Sequence, residues 1–143
     1  MSVNPSPDGL QRPHTLADDL EIGGTLDDLD ANNVAGTETT LTDQATIAID
    51  VSTDGLVWKV TLGGNRAFGT PTNIPSAGSS WMLEIVQDGT GSRVPTWSAG
   101  WHAPGGAVVL TTTAGAVDQL AGKVNAAGVF VIFGVALDTK AIA

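Results

Sequence analysis

The chain has 143 residues, no cysteine, 18 glycines, 7 prolines and a formal net charge of −9. That length suits one domain, and the missing thiols exclude disulfides, thiolate metal sites and a cysteine nucleophile. The acidity argues against a nucleic-acid partner, whose phosphates require clustered Lys and Arg.

The charge is unevenly placed. Eleven acids and one base precede Gly55, whereas four acids and five bases lie from Gly55 onward. An acidic arm, residues 1–44, is therefore expected to precede a near-neutral body, residues 45–143. Met1 to Pro13 has neither a basic region nor an apolar run, so a secretory leader is not expected. The most apolar stretch, Val129 to Leu137, is far shorter than the about 20 residues a spanning helix needs, so no membrane partner is expected.

In the arm the large apolar residues are Leu16, Leu20, Ile22, Leu26 and Leu29, set among Asp, Gly, Thr and Asn. The step from Leu16 to Leu20 permits one helical turn, and Gly23-Gly24 would end it. So few apolar side chains cannot fold alone. The segment is expected to be extended and to order on a partner surface through these five residues.

From Ala45 the pattern becomes two-fold. Ile47, Ile49 and Val51 alternate with Ala48 and Asp50, and Leu56, Trp58, Val60 and Leu62 alternate with Val57, Lys59 and Thr61. Thr53-Asp54-Gly55 between them reads as the turn of a hairpin. Gly69 to Ser80 reads as a loop. Trp81 to Gln87 reads as a strand, Asp88 to Gly91 as a tight turn, and Arg93 to Ser98 as a strand whose Pro95 suggests a sheet edge. After a turn at Ala103 to Gly106, strands are expected near Val108–Thr112, Ala116–Asn125 and Gly128–Leu137. About seven short strands with frequent turns predict an all-β fold, an antiparallel β-sandwich or jelly roll with an extended N-terminal arm. No repeat of 20–50 residues is visible.

The run from Gly64-Asn65-Arg66 to Asn73 leads into Trp81 to Arg93, with Gln87-Asp88-Gly89-Thr90-Gly91 at its turn. Pro95-Thr96-Trp97 and Thr113-Ala-Gly-Ala-Val-Asp-Gln-Leu120 follow. This combination resembles a β domain common in tailed-bacteriophage virion proteins, where it occurs in tail-fibre ends, tail appendages and capsid decoration proteins. The resemblance covers roughly Ala45 to Leu137 and leaves the acidic arm outside. It implies a structural role without enzymatic activity, on the virion, after synthesis in the host cytoplasm. With only about 44 residues before the domain and no shaft, it points to a decoration, or cement, protein on the capsid exterior. Its partners would be the major capsid protein and copies of itself, as a homodimer or homotrimer. The alternative is a tail appendage or receptor-binding tip that contacts host glycan.

The residues offer little reactive chemistry. Asp28, Asp30 and Asn32 alternate like calcium ligands, but Asn33 and Thr39 stand where an EF-hand loop needs Gly and Glu. Glu84 and Asp88 could be imagined as a glycosidase pair, yet Glu84 lies mid-strand and Asp88 opens a turn in which Asp bonds its own backbone. The glycines at 63–64 and 89–91 lack the Lys and the helix of a phosphate loop. No catalytic residue, metal site or cofactor is expected. Of Trp81, Trp97 and Trp101, the last two, four residues apart across Gly100, are the candidates for an exposed contact surface. Arg66 and Arg93 are expected to hold turns, with Asp88 as a partner for Arg93.

Overall fold

Alternating apolar residues build two sheets, and the chain passes back and forth between them. A computed structural model describes residues 37–142, and the compact unit considered begins at Glu38. Its elements are β1 (Thr39–Thr40), β2 (Thr46–Ile47), a helical turn α1 (Val51–Asp54), β3 (Val57–Leu62), β4 (Ala67–Phe68), β5 (Ser80–Gln87), β6 (Thr96–Trp97), β7 (Trp101–His102), a 3-10 turn (Pro104–Gly106), β8 (Val117–Val124) and β9 (Phe130–Ala136). A six-stranded sheet has the order β1-β3-β5-β8-β9-β7, and a three-stranded sheet the order β2-β4-β6. No helix among the described residues is long and apolar enough to cross a membrane.

The all-β class agrees with the sequence reading, but the pairing is not mainly antiparallel. β1 with β3, β3 with β5, β2 with β4, β4 with β6 and β9 with β7 are all parallel. Antiparallel ladders are confined to β5–β8 and β8–β9. From β1 to β6 the chain visits the large and small sheets in strict alternation, so successive coils stack as in a β-solenoid. Thr39 lies beside Trp58 and Val57 beside Met82 in one sheet; Thr46 lies beside Ala67 and Ala67 beside Thr96 in the other. Each coil packs on the next through backbone pairing, which needs no sequence repeat.

The hairpin expected across residues 45–62 is absent, and local chemistry explains why. Asp50 caps α1, its carboxylate accepting from the Ser52 N–H at 3.0 Å and the Ser52 hydroxyl at 2.6 Å. Asp54 reaches back to the Asp50 N–H at 2.8 Å. Gly55, with φ of 69°, ends the turn, a conformation glycine takes without strain. This single turn redirects the chain from the small sheet to the large one. Ile47 and Ile49 therefore meet Trp58, Val60 and Leu62 in one core rather than side by side in one ladder.

Three other expectations change. Residues 38–44, assigned to the arm from the sequence, join the body: β1 pairs with Trp58 and Lys59, and Leu41 is buried. The stretch Val108–Thr112 is no strand, and the strand expected over Arg93–Ser98 shrinks to two residues. Pro95 lies just before that strand, β6, which is an edge of its sheet. The long strands hold as read: Trp81, Leu83 and Ile85 are all buried on one side of β5.

Between β8 and β9 the register slips. Ile132 pairs with Gly122 and Gly134 with Ala121, leaving Phe133 without an opposite residue, as in a β-bulge. β7 covers β9 only at Phe130 and Val131.

Candidate functional site

The tryptophans are mostly core. Trp58, Trp81 and Trp101 are buried among Phe68 and Phe130. Trp101 stands edge-on to Trp81 at 5.4 Å and to Trp97 at 5.3 Å between ring centroids, and its indole N–H donates to the Gly69 carbonyl at 2.8 Å. Trp101 is thus a packed and hydrogen-bonded residue, which corrects the expectation of a contact role. Trp97 is half-buried, with one face stacked on Phe68 at 4.5 Å and 11°. Both rings can be sheltered because they lie on different strands, separated by a turn in which the Trp101 N–H donates to Ser98 O. The other candidates, Leu16, Leu20, Ile22, Leu26 and Leu29, lie outside the described residues.

A cavity of about 290 Å³ opens beside this cluster, lined chiefly by Trp97, Trp101, His102, Ala103, Val108 and Ile132. It lies where the chain after β7 departs from β9. Its walls are mostly apolar, with His102 as the titratable group among them. Its volume is at the small end of ligand pockets, about 300 Å³ and upward, and suits one apolar side chain or a small ring.

The Asn65–Arg66 and Gln87–Arg93 motifs form an interlock. Asp88 accepts from the Thr90 and Gly91 N–H groups at 3.0 and 2.9 Å, and from Arg93 Nη2 at 2.7 Å. That guanidinium, opposed by desolvation and helped by the two N–H groups, lowers the Asp88 pKa to about 2. Gln87 binds Arg93 as a strand would, donating to its carbonyl and accepting from its N–H, both at 2.9 Å. The turn then docks on the 112–116 segment, with Ser92 N–H to Thr112 O at 2.6 Å and Gly115 N–H to Asp88 O at 3.1 Å. Gly91 meets this backbone so closely that an added Cβ would lie 2.6 Å from Thr112 O. On the other flank Arg66 forks onto Asp43 at 2.6 and 2.7 Å. That contact lowers the Asp43 pKa against its desolvation. Asn65 Oδ1 accepts from the Val94 N–H at 2.9 Å. The two arginines thus hold turns, as their setting in the sequence suggests.

Other body carboxylates are similarly engaged. Glu84 pairs with Lys59 at 3.2 Å and accepts from Gln119 at 3.1 Å. Asp118, buried on the core side of β8, accepts from the Thr111 N–H at 2.6 Å and the Asp138 N–H at 2.7 Å. Sequence reasoning missed Asp118, although an acid in phase with Leu120 and Val124 on one strand face is a legible signal. It also missed Asp43, whose partner Arg66 is 23 residues away. Among the described residues no group of three or more His, Asp or Glu could hold a metal.

What the body does present is apolar surface. On the outward side of the large sheet, Val57, Met82, Ala121 and Gly134 lie in one row across four strands. Met82 is 49% exposed, and the bulged Phe133 beside the row is 63% exposed. The next row, Lys59, Glu84 and Gln119, is polar and internally bonded. Farther along, Val135 and Leu137 are also exposed.

No family model, curated protein or solved structure matches the chain.

The arrangement has a plain chemical reading. Most of its charged groups tie turns and strands together, and one face of its large sheet exposes the apolar side chains of Met82 and Phe133. Such a surface can hold another protein, by burying area and excluding water.

Proposed function

We propose that the chain is a phage virion structural protein of the capsid-decoration type. It would bind the outside of the shell, bridge neighbouring major capsid subunits and stiffen them, with no catalytic role. The observation that carries this reading is the apolar row Val57–Met82–Ala121, in which Met82 is half exposed and Phe133 beside it more so, on a body most of whose carboxylates bond within the structure. A contiguous exposed apolar patch on such a body suits contact with a protein partner. The resemblance of Gly64-Asn65-Arg66, Gln87 to Gly91 and Thr113 to Leu120 to virion β domains supports the same reading. The two facing sheets would serve as a sandwich-like slab, and the acidic residues 1–37 as an arm laid along the shell. Weak single contacts then add up, because later ones form at high effective concentration.

The test is quantitative mass spectrometry of purified virions. Copy number in a fixed ratio to the major capsid protein is expected. A handful of copies located at the tail would defeat the proposal. That outcome would favour a tail appendage or receptor-binding tip, for which the cavity between Trp97, His102 and Val108 is the supporting observation. Glycan binding by the purified protein, lost in Trp97→Ala, would then be expected.

A further inference from the structure

We infer that the open edge of β9 is a homotypic contact, where a second copy of the chain adds its own β9 antiparallel across a two-fold axis near Gly134 and Val135. The inference deepens the proposed assembly role and rests on it only for its biological setting.

Four observations lead there. First, β7 pairs with Phe130 and Val131 and then leaves, so β9 from Ile132 to Ala136 has no strand on its outer side among the described residues. A strand edge presents a row of N–H and C=O groups that another strand can complete. Second, the exposed side chains here are Phe133 at 63%, Val135 at 43% and Leu137 at 53%. Third, most of the usual protections are missing. Edge strands are commonly guarded by Lys, Pro or inward charges, whereas Val129 to Leu137 contains no charged residue and no proline. The bulge at Phe133 is the one device present, and it ends one residue before Gly134.

The fourth observation selects the partner. Around a two-fold axis every residue meets its own copy or a near neighbour, so a charge close to the axis would face its like. A contact with a different protein carries no such restriction and commonly uses complementary charge. A nine-residue run without charge, in a chain of net charge −9, is what a self-pairing strand requires. The contact is small, because one short strand buries much less than the about 800 Å² per partner of a standard interface. Dimerisation is therefore expected to depend on concentration in solution and to strengthen when two copies are held side by side on a shell.

The absence of native cysteine makes the test direct. Phe133→Cys, Val135→Cys and Leu137→Cys are made singly in the full chain, with Ala77→Cys in an exposed turn as control, and treated with a short bismaleimide. At least one β9 position is expected to cross-link to its own copy, while the control is not. Sedimentation of the unmodified chain is expected to show a monomer–dimer equilibrium. Val135→Lys is expected to shift it to monomer with an unchanged circular dichroism spectrum. A chain that stays monomeric at every concentration and cross-links at none of the three positions would overturn the inference. So would a dimer indifferent to both Val135→Lys and Phe133→Lys. Either result leaves the virion copy number, and hence the proposed function, to be judged separately.

Discussion

At the scale of single residues, the body depends on carboxylates that each satisfy several donors. Asp118 is the most committed of them. Replacing it by Ala removes the acceptor of the part-buried N–H groups of Thr111 and Asp138, at a cost of up to about 1–3 kcal/mol per unsatisfied group. Urea unfolding should show a clearly lower midpoint for Asp118→Ala and a smaller loss for Asp118→Asn, which keeps one acceptor oxygen. Asp88 gives a pH dependence of known sign. Its folded pKa, about 2, lies below the ordinary aspartate value of 3.8. The stabilisation is therefore complete above about pH 5 and is lost as pH falls through about 2. Asp43 and Asp50, lowered by their bonds to Arg66 and to Ser52 and Asn73, act in the same direction. The urea midpoint is expected to drop across that window, and the drop should be shallower in Asp88→Asn. The Arg93 pairing was legible because Asp-Gly-Thr-Gly specifies a turn with Arg close behind. Asp118 stands out in phase with Leu120, but its partners were not legible, since both are backbone groups on segments that read as strand or tail.

At the scale of elements, the strands that were legible are those long enough for their alternation to be unambiguous: β3, β5, β8 and β9. The two-residue strands carry no periodicity to detect. The failure at residues 45–62 is instructive, because two alternating runs around Asp54-Gly55 satisfy every local rule for a hairpin. The deciding feature is the side chain of Asp50, which nucleates a helical turn and sends the second run to the other sheet. Close packing of elements also fixes particular glycines. Gly122 on β8 lies opposite both Trp81 and Ile132. An added Cβ would land inside contact distance of the Val131 carbonyl and the Trp81 ring. Gly122→Ala is expected to destabilise by about 1–3 kcal/mol, the usual cost of overpacking, measured by thermal or urea unfolding. Gly89, whose added Cβ would meet nothing within 4 Å, is the matched control and should be close to neutral on substitution by Ala.

At the scale of the whole molecule, the all-β class could be read from turn frequency and short apolar runs, but the course of the chain between sheets could not. Parallel stacking is set by long-range register, such as Val57 beside Met82, and no repeat in the sequence announces it. The candidate surface was legible only in part. Trp101 looked exposed beside Gly100 and is core, while Met82 looked like any strand residue and is half exposed. The stacked coils have a mechanical consequence. The outermost coil, residues 38–56, is held in the sheets by two-residue pairings at β1 and β2 and by the single bridge from Asp50 to Thr72. Each coil leans chiefly on its neighbour, as in other stacked architectures. Tension applied between Glu38 and Lys140 should therefore unspool the body from its amino-terminal side, with a small early rupture before the long β5–β8–β9 ladders give way. A single-molecule pulling trace with one all-or-none event would contradict this, whereas a stepwise trace would make the outermost coil a built-in shock absorber for tension entering at its amino-terminal side.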